Sequence, residues 1–436
     1  MKTSNWGNYP QIDAQVHEPQ SLTELKHTLK AKDSLITRGN GRCYGDSSLA
    51  PQILSTRHLS AITAFDPTTG LIEVQAGILL DDLLRHIVPQ GWFLPVVPGT
   101  KMITVGGAIA SNVHGKNHHR AGAFGEYVLA LELMDESGEI KTCTTEENAE
   151  LFAATVGGLG LSGIIISATL RLKRIETSYF QHQSFKAHNL AEMLGLMERR
   201  QESPYLVAWL DGLVPVERIG AGILLVGQEC PLRELPIKLQ AAPLLLHRPP
   251  KINIPKLPVS WLMNQWSLRL NNALYRWQHR HFDQTQILHY SQFFFPLDAL
   301  HTWKNLYGPP GLLQYQFVVP KNKAQSCIQK VLERIQQARV TPYLIVLKMM
   351  GKSSTIAAST DFPMPGYSLA IDFKNTARAR DLLHDLDQIV LQGEGRVYLT
   401  KDSRLPADVF AQMYPEAAQQ PPGKFRSLQS ERIYDL

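Results

Sequence analysis

Apolar positions along this chain recur with two periods, and the switches between them mark its elements. In SLTELKHTLKA, residues 21 to 31, Leu22, Leu25 and Leu29 fall three and four apart, the stripe of a helix. Ser21 with Glu24 makes a capping-box pattern at its start. SLITRG then reads as a strand entering the turn-rich loop GNGRCYGDSS. LIEVQAG alternates like a strand, LLDDLLRHIVPQG is helical, and WFLPVVPG is extended with two prolines. TTEENAELFAATVGG reads as a helix opened by a second capping box, Thr144 with Glu147, and the β-branched IIISATLRLKRI as a strand. The first ~175 residues therefore alternate short strands and helices, as in α+β or α/β domains.

From about Ser178 to Glu394 the stretches are longer and amphipathic, and most of the tryptophans lie there. The Pro-rich connector HRPPKINIPKLPVS, residues 247 to 260, is expected to be a surface loop or lid. The segment RVYLTKDSRLPADVFAQMYPEAA predicts a strand, a polar turn and a helix. At 436 residues, two domains are the expectation. A content of 44% hydrophobic and 19% charged residues excludes a disordered chain. Apolar runs such as PYLIVLKMM and SGIIISATL are too short to span a bilayer, and MKTSNWGNYP lacks an apolar signal region, so a cytoplasmic location is expected. Cys43, Cys143, Cys230 and Cys327 are widely spaced and read as free thiols. The net charge of +5 is dispersed, which argues against a nucleic-acid reader and leaves an anionic substrate or an anionic membrane surface open.

Three glycine motifs bear on chemistry. GGLGLSG, residues 157 to 163, contains G-x-G-x-x-G, but a helix precedes it and a strand follows, the inverse of a Rossmann unit, so it reads as a helix-to-strand turn. TRGNGRCYGDSS and VVPGTKMITVGGAIASNVHG both leave extended segments without bulky side chains, and together favour a dinucleotide lying along backbone amides. The segment SNVHGKNHHRAGAFG places His114, His118 and His119 within six positions. Gly115 follows the first histidine, no glutamate stands where a zinc helix needs one, and no cysteine or carboxylate cluster is near, so no metal is expected. In LLQYQFVV, strand alternation puts Gln314 and Gln316 on one face, either toward a substrate or toward solvent.

RGNGRCYGD, PGTKMITVGGAIASNVHGKNHHRAGAFG and LFAATVGGLGLSGII together resemble the FAD-binding domain of the vanillyl-alcohol oxidase / p-cresol methylhydroxylase superfamily. Within it, HGKNHH, YGPPGLLQYQFVVP and YLTKDSR resemble the decaprenylphosphoryl-ribose 2-oxidase family. The resemblance runs through nearly the whole chain and is weakest from about 181 to 270 and in the last fifteen residues. It implies an α+β fold: a two-subdomain PCMH-type FAD-binding domain over 1–178, a substrate (cap) domain on an antiparallel sheet with flanking helices over 179–394, and a segment 395–436 returning to the first domain.

For FAD the resemblance implies Arg38, Gly39, Asn40, Gly41, Arg42, Cys43 and Tyr44 in the first loop, and Pro98, Gly99, Thr100, Thr104, Gly106, Gly107, Ser111, Asn112 and His114 in the second. Gly163, Ile164 and Tyr398 complete that set. Members that bind flavin covalently often carry a histidine where this chain has Gly41-Arg42-Cys43, so dissociable FAD is expected and Cys43 is expected to be a buried, inert thiol. The implied reaction oxidises the 2-hydroxyl of a polyprenylphosphoryl pentose, with hydride passing to flavin N5, and a separate short-chain reductase would complete an epimerisation. Lys401 and His114 are the implied catalytic groups. Lys401 would serve as a base or as a protonated stabiliser of negative charge; its structural alternative is a salt bridge to Asp402 or Asp372. Substrate contacts fall to Gln314, Gln316, Lys348, Tyr275, Trp209, Lys116 and Asn117, while His118 and His119 are expected to pack or cap locally. Ser368 and Ala370 occupy positions where mycobacterial members have an asparagine and a cysteine, so this pocket lacks the thiol that nitroaromatic inhibitors attack. A lipid-linked sugar implies peripheral contact with a membrane. The same scaffold also serves soluble alditol or aldonolactone oxidases that use oxygen, and a non-catalytic flavin-bound sensor or scaffold is the rival of another class.

Overall fold

Leu25 and Leu29, the stripe of the first predicted helix, are fully buried, and the helix spans Leu22–Lys30. The Ser21 side chain accepts from the Glu24 N–H, as the cap requires, but the Glu24 carboxylate reaches the Gln20 N–H, so only half of the box forms. This is a computed structural model; it describes residues 2–246, 252–254, 264–279, 284–354 and 356–436. The Pro-rich segment 247 to 260 falls, apart from 252–254, outside the described residues.

The N-terminal half holds two sheets. Gln15–His17, Gln52–Ser55 and Ile36–Arg38 form a small parallel sheet with 52–55 at its centre. Ile140–Cys143, Val128–Met134, Ile164–Arg171, Leu71–Gln75 and Ile62–Asp66 form a five-stranded antiparallel sheet in that order. The β-branched run 164–166 lies in its central strand, whose residues 164–168 are buried on both faces. The helix expected from Thr144 starts later, at Ala149, after Asn148 in a left-handed conformation. Thr144 Oγ1 accepts from the N–H groups of Glu146 and Glu147, so this hydroxyl closes a turn and does not cap the helix.

The second half is built on an eight-stranded sheet, antiparallel at every pairing: Gln286–His289, Tyr179–Ala187, Gly222–Glu229, Tyr205–Leu210, Pro342–Met350, Gly366–Lys374, Leu312–Pro320 and Arg396–Val397. Helices Leu190–Arg199, Lys321–Ala338 and Ala377–Gln392 cover one face, where Leu313, Tyr315, Phe317, Ile345, Leu347, Leu369 and Ile371 join them in one core. Residues between them in sequence, Gln314, Gln316, Val346, Lys348 and Ala370, line a cavity on the opposite face. The two-residue period of a strand thus separates core from site. The tail first supplies the edge strand 396–397 and later bonds to the N-terminal half, through Arg426 N–H to Leu35 and Leu428 N–H to Leu49.

Candidate active site

The cavity holds about 640 Å³, within the range of ~300–1,000 Å³ typical of ligand pockets. One wall is the pair of glycine loops. A Cβ on Gly39 would lie 2.2 Å from Thr104 Oγ1, so glycine lets the loops touch. Gly41 has φ +56, which favours glycine, and packs under the Arg38 guanidinium. Asn40 donates to the Met102 carbonyl at 2.7 Å, locking one loop to the other. The N–H groups of residues 40 to 43 meet no acceptor among the described residues. Four consecutive amides left unspent beside a cavity form a cradle for an anion. A Cβ on Gly99 would meet nothing within 4 Å. Thr104 Oγ1 accepts from the Gly107 N–H and caps the short helix Val105–Ala110.

The C-terminal turn Leu399–Lys401 closes this wall. Tyr44 N–H donates to the Thr400 carbonyl, and a Cβ on Gly45 would collide with the Asp402 carbonyl at 1.6 Å. Tyr398 donates to the Ser111 carbonyl at 2.7 Å. Lys401 Nζ lies 3.9 Å from the centre of the Tyr44 ring. It enters no ion pair among the described residues: Asp402 is held instead by Arg432 at 3.2 Å and by the N–H groups of Arg404 and Leu405. The adjoining Arg404 is clamped to Asp387 by bonds of 2.6 and 2.7 Å.

Across the cavity stands the sheet. Gln314 donates to Asp372, and Gln316 donates to Ser368 Oγ at 3.1 Å and meets His114 Nε2 at 2.9 Å. Both glutamines are therefore satisfied and face the cavity, not solvent. Lys116, Lys348 and Lys401 also line it. Burial lowers all three: Lys116 and Lys401 to about 7, Lys348 to about 8. The mutual repulsion of Lys348 with Lys116 and with Lys401 adds to this. Asp298 is the carboxylate in the cavity lining, and burial raises its pKa; Asp372, which accepts from Gln314, is raised to about 6 by burial. The site is thus a low-dielectric cavity in which three amines and the Arg42 guanidinium meet one lining carboxyl, Asp298, and are short of negative charge.

His114 is buried, stacked on Phe362 with ring centres 5.4 Å apart, and 5.2 Å from Tyr398. Burial, then Lys348, hold its pKa well below the ordinary value, so the imidazole is neutral. The other two histidines act over long range, not locally as expected. His118 Nδ1 accepts from the Gly351 N–H, and His119 Nε2 meets the Ser203 carbonyl. Lys116 Nζ donates to the Phe293 carbonyl and lies 4.5 Å from that ring's centre.

Five implied site residues do not line the cavity. Arg38 is spent on Asn5 and Ser4; Asn112 bridges Asp361 and the Gly125 N–H; Asn117 donates to the Pro95 carbonyl; Ile164 is core; Ser368 stands behind Gln316. Cys43 departs from the expected buried thiol: it is half-exposed in the cavity wall, with Sγ 3.1 Å from Ser48 Oγ. Trp209 and Tyr275 both line the cavity, with ring centres 4.7 Å apart. Sequence reading missed Asp298, whose oxygens accept from Thr100 Oγ1 and the Lys101 N–H at 2.7 and 2.9 Å. It also missed Phe362. Neither stands in a motif that could have marked it.

The FAD binding domain family model matches residues 13–144. A decaprenylphosphoryl-β-D-ribose oxidase from Mycolicibacterium smegmatis is 36% identical over 387 residues, 87% of this chain and 83% of that protein. The chain belongs to the decaprenylphosphoryl-ribose oxidase family. An uncharacterised Streptomyces coelicolor protein is 30% identical over 78% of this chain and 92% of its own length. The mouse L-gulonolactone oxidase is 27% identical over 41% of this chain and 43% of its own. As a member of this family the chain is an FAD-dependent oxidoreductase. Its residues fit the cofactor: the N–H groups of 40 to 43, which meet no acceptor among the described residues, suit a pyrophosphate, and glycines at 39, 41, 99 and 107 open the wall at those positions. Among the described residues no helix is long and apolar enough to cross a membrane.

Proposed function

We propose that this protein oxidises the 2-hydroxyl of a polyprenylphosphoryl pentose to the 2-keto sugar, with the carbinol hydride passing to flavin N5. The observation that carries the reading is the convergence of Lys116, Lys348 and Lys401 with Gln314 and Gln316 beside the FAD loops. A phosphorylated polyol supplies the negative charge that these amines lack and hydroxyls for the two amides. When bound, FAD supplies the two-electron acceptor. Lys401, at about 7, is divided between its two protonation states at neutral pH. Its neutral amine would take the hydroxyl proton, while Lys348, at about 8, would stay charged toward the phosphate. Gln316 holds His114 and would orient the sugar. The product is a ketone, which a separate short-chain reductase would reduce with inverted configuration, completing an epimerisation.

FAD is held without a covalent bond in this reading. No histidine stands in the first loop, and Cys43 keeps company with Ser48. Acid precipitation should leave a colourless pellet and a yellow supernatant. The substrate reading is tested by anaerobic bleaching of the bound flavin with farnesylphosphoryl ribose against xylitol, sorbitol and L-gulonolactone. Bleaching by the phosphorylated ribose alone is expected. Bleaching by the free polyols or the lactone would favour a soluble alditol or aldonolactone oxidase, and no bleaching by any would favour a flavin-bound sensor.

A further inference from the structure

The helix Gln265–Gln278 has two faces with different duties. On its inner side Leu268 and Asn272 are buried; Asn272 donates to Asp211 at 2.7 Å, and Arg276 pairs with the same carboxylate. Asn271 and Tyr275 line the active-site cavity, and Asn271 is exposed as well, so the helix stands at the cavity mouth. On the outer side Trp266, Leu270, Leu274 and Trp277 are 78%, 62%, 56% and 62% exposed. At 100° per residue these four fall within an arc of about 80°, and the two rings sit about 16 Å apart along the axis. Among the described residues these are the two exposed tryptophans.

A continuous apolar stripe of this size on a soluble surface marks an interaction site. Three features select its occupant. Tryptophan at each end of a leucine row is the chemistry of the membrane–water interface, where an amphipathic ring satisfies both sides. The helix QWSLRLNNALYRWQ carries no carboxylate; Arg276 is spent on Asp211, whereas Arg269 is exposed beside the Trp266 ring at 5.8 Å and complements an anionic surface. The same helix borders the cavity that receives the substrate. We propose that the helix 265–278 lies in the interface of an anionic phospholipid bilayer and sets the cavity mouth at the membrane. A lipid-linked sugar then enters without its chain leaving the bilayer; this consequence rests on the substrate proposed above, whereas the docking rests on the helix.

The test uses the FAD-loaded full chain and flotation with vesicles, either phosphatidylcholine alone or an equal mixture with phosphatidylglycerol. The wild type is expected to float with the mixed vesicles and more weakly with phosphatidylcholine. The double variant Trp266→Ser/Trp277→Ser should lose about tenfold or more of that partitioning. It should keep its melting temperature and its flavin bleaching by soluble farnesylphosphoryl ribose. Arg269→Gln should narrow the difference between the two vesicle types. Failure of the wild type to float, or equal flotation of the double variant, overturns the proposal. So does a wild-type dimer that the double variant splits, since a second copy would then cover the stripe, or a fall in melting temperature with flotation unchanged, which would place the tryptophans in the protein's own packing. Flotation without bleaching by the phosphorylated ribose would sink the substrate reading and leave the docking standing.

Discussion

Replacing Lys401 with methionine should make the protein more stable and catalytically silent. The lysine falls from an ordinary 10.5 to about 7 because its ammonium is buried, with Asp372 offsetting only part of that cost. A group whose folded value lies below its unfolded value binds fewer protons when folded, so it opposes folding and does so less as pH rises from about 7 toward 10.5. The opposition is about 4 kcal/mol at pH 7 and about 2 kcal/mol at pH 9. Methionine keeps an unbranched stem in the same place and abolishes the charge; Asp372 then loses a neighbouring cation, which returns some of the gain. A net stabilisation of about 1–3 kcal/mol at pH 7, shrinking by pH 9, is the expected outcome. Thermal unfolding of both proteins at equal FAD saturation, followed by tryptophan fluorescence at the two pH values, reads the difference. Anaerobic bleaching by farnesylphosphoryl ribose should be lost while the flavin spectrum remains. A variant that is less stable at pH 7, or that bleaches at the wild-type rate, would refute the reasoning.

Gln316→Leu leaves His114 Nε2 and Ser368 Oγ without their shared partner and should slow bleaching by ~10–100-fold, about 1–3 kcal/mol, with FAD retained; an unchanged rate would remove Gln316 from the site. Burial raises Asp361 to about 7, so its contribution to stability is present below the ordinary carboxylate value of 3.8 and is lost as pH climbs through about 7. Asp361→Asn keeps an acceptor for the Asn112 amide and should flatten the melting profile between pH 4 and 7; a profile parallel to wild type would contradict this. Ala370 lines the cavity where a thiol would stand in mycobacterial relatives, so a nitroaromatic mechanism-based inhibitor should leave the intact mass of the wild type unchanged. Ala370→Cys should gain one adduct on the 367–373 peptide.

Local periodicity carried much of this fold. The alternation of Gln314 and Gln316 with Leu313, Tyr315 and Phe317 appears directly as cavity face and core face, because a strand buried on both sides must sort its side chains every second residue. The inverted order of helix and strand around GGLGLSG was enough to exclude a Rossmann unit, and the turn it predicts joins Ala149–Thr155 to Ile164–Arg171. Long-range pairings were not legible. Thr144 looks identical whether it caps a helix or closes a turn, and only Asn148 in the left-handed region decides. Nothing near His118 or His119 announces Gly351 or Ser203 as partners. Asp298 and Phe362 lie outside every motif because each is brought to the site by tertiary packing, at 198 residues from Thr100 in the first case.

Lys401 sits on a turn whose supports come from opposite ends of the chain. Asp402, next to it, is gripped by Arg432, which also holds Asp46, 386 residues away in sequence. A ribosome moving at ~5–20 residues per second needs roughly 20–80 s to travel between those two partners. Throughout that interval the nascent glycine loops exist without the turn that closes them. Lys401 is therefore synthesised well after the glycine loops that form the cofactor wall it faces. A polypeptide released before Arg432 would carry both glycine loops but lack the arginine that joins Asp402 to Asp46.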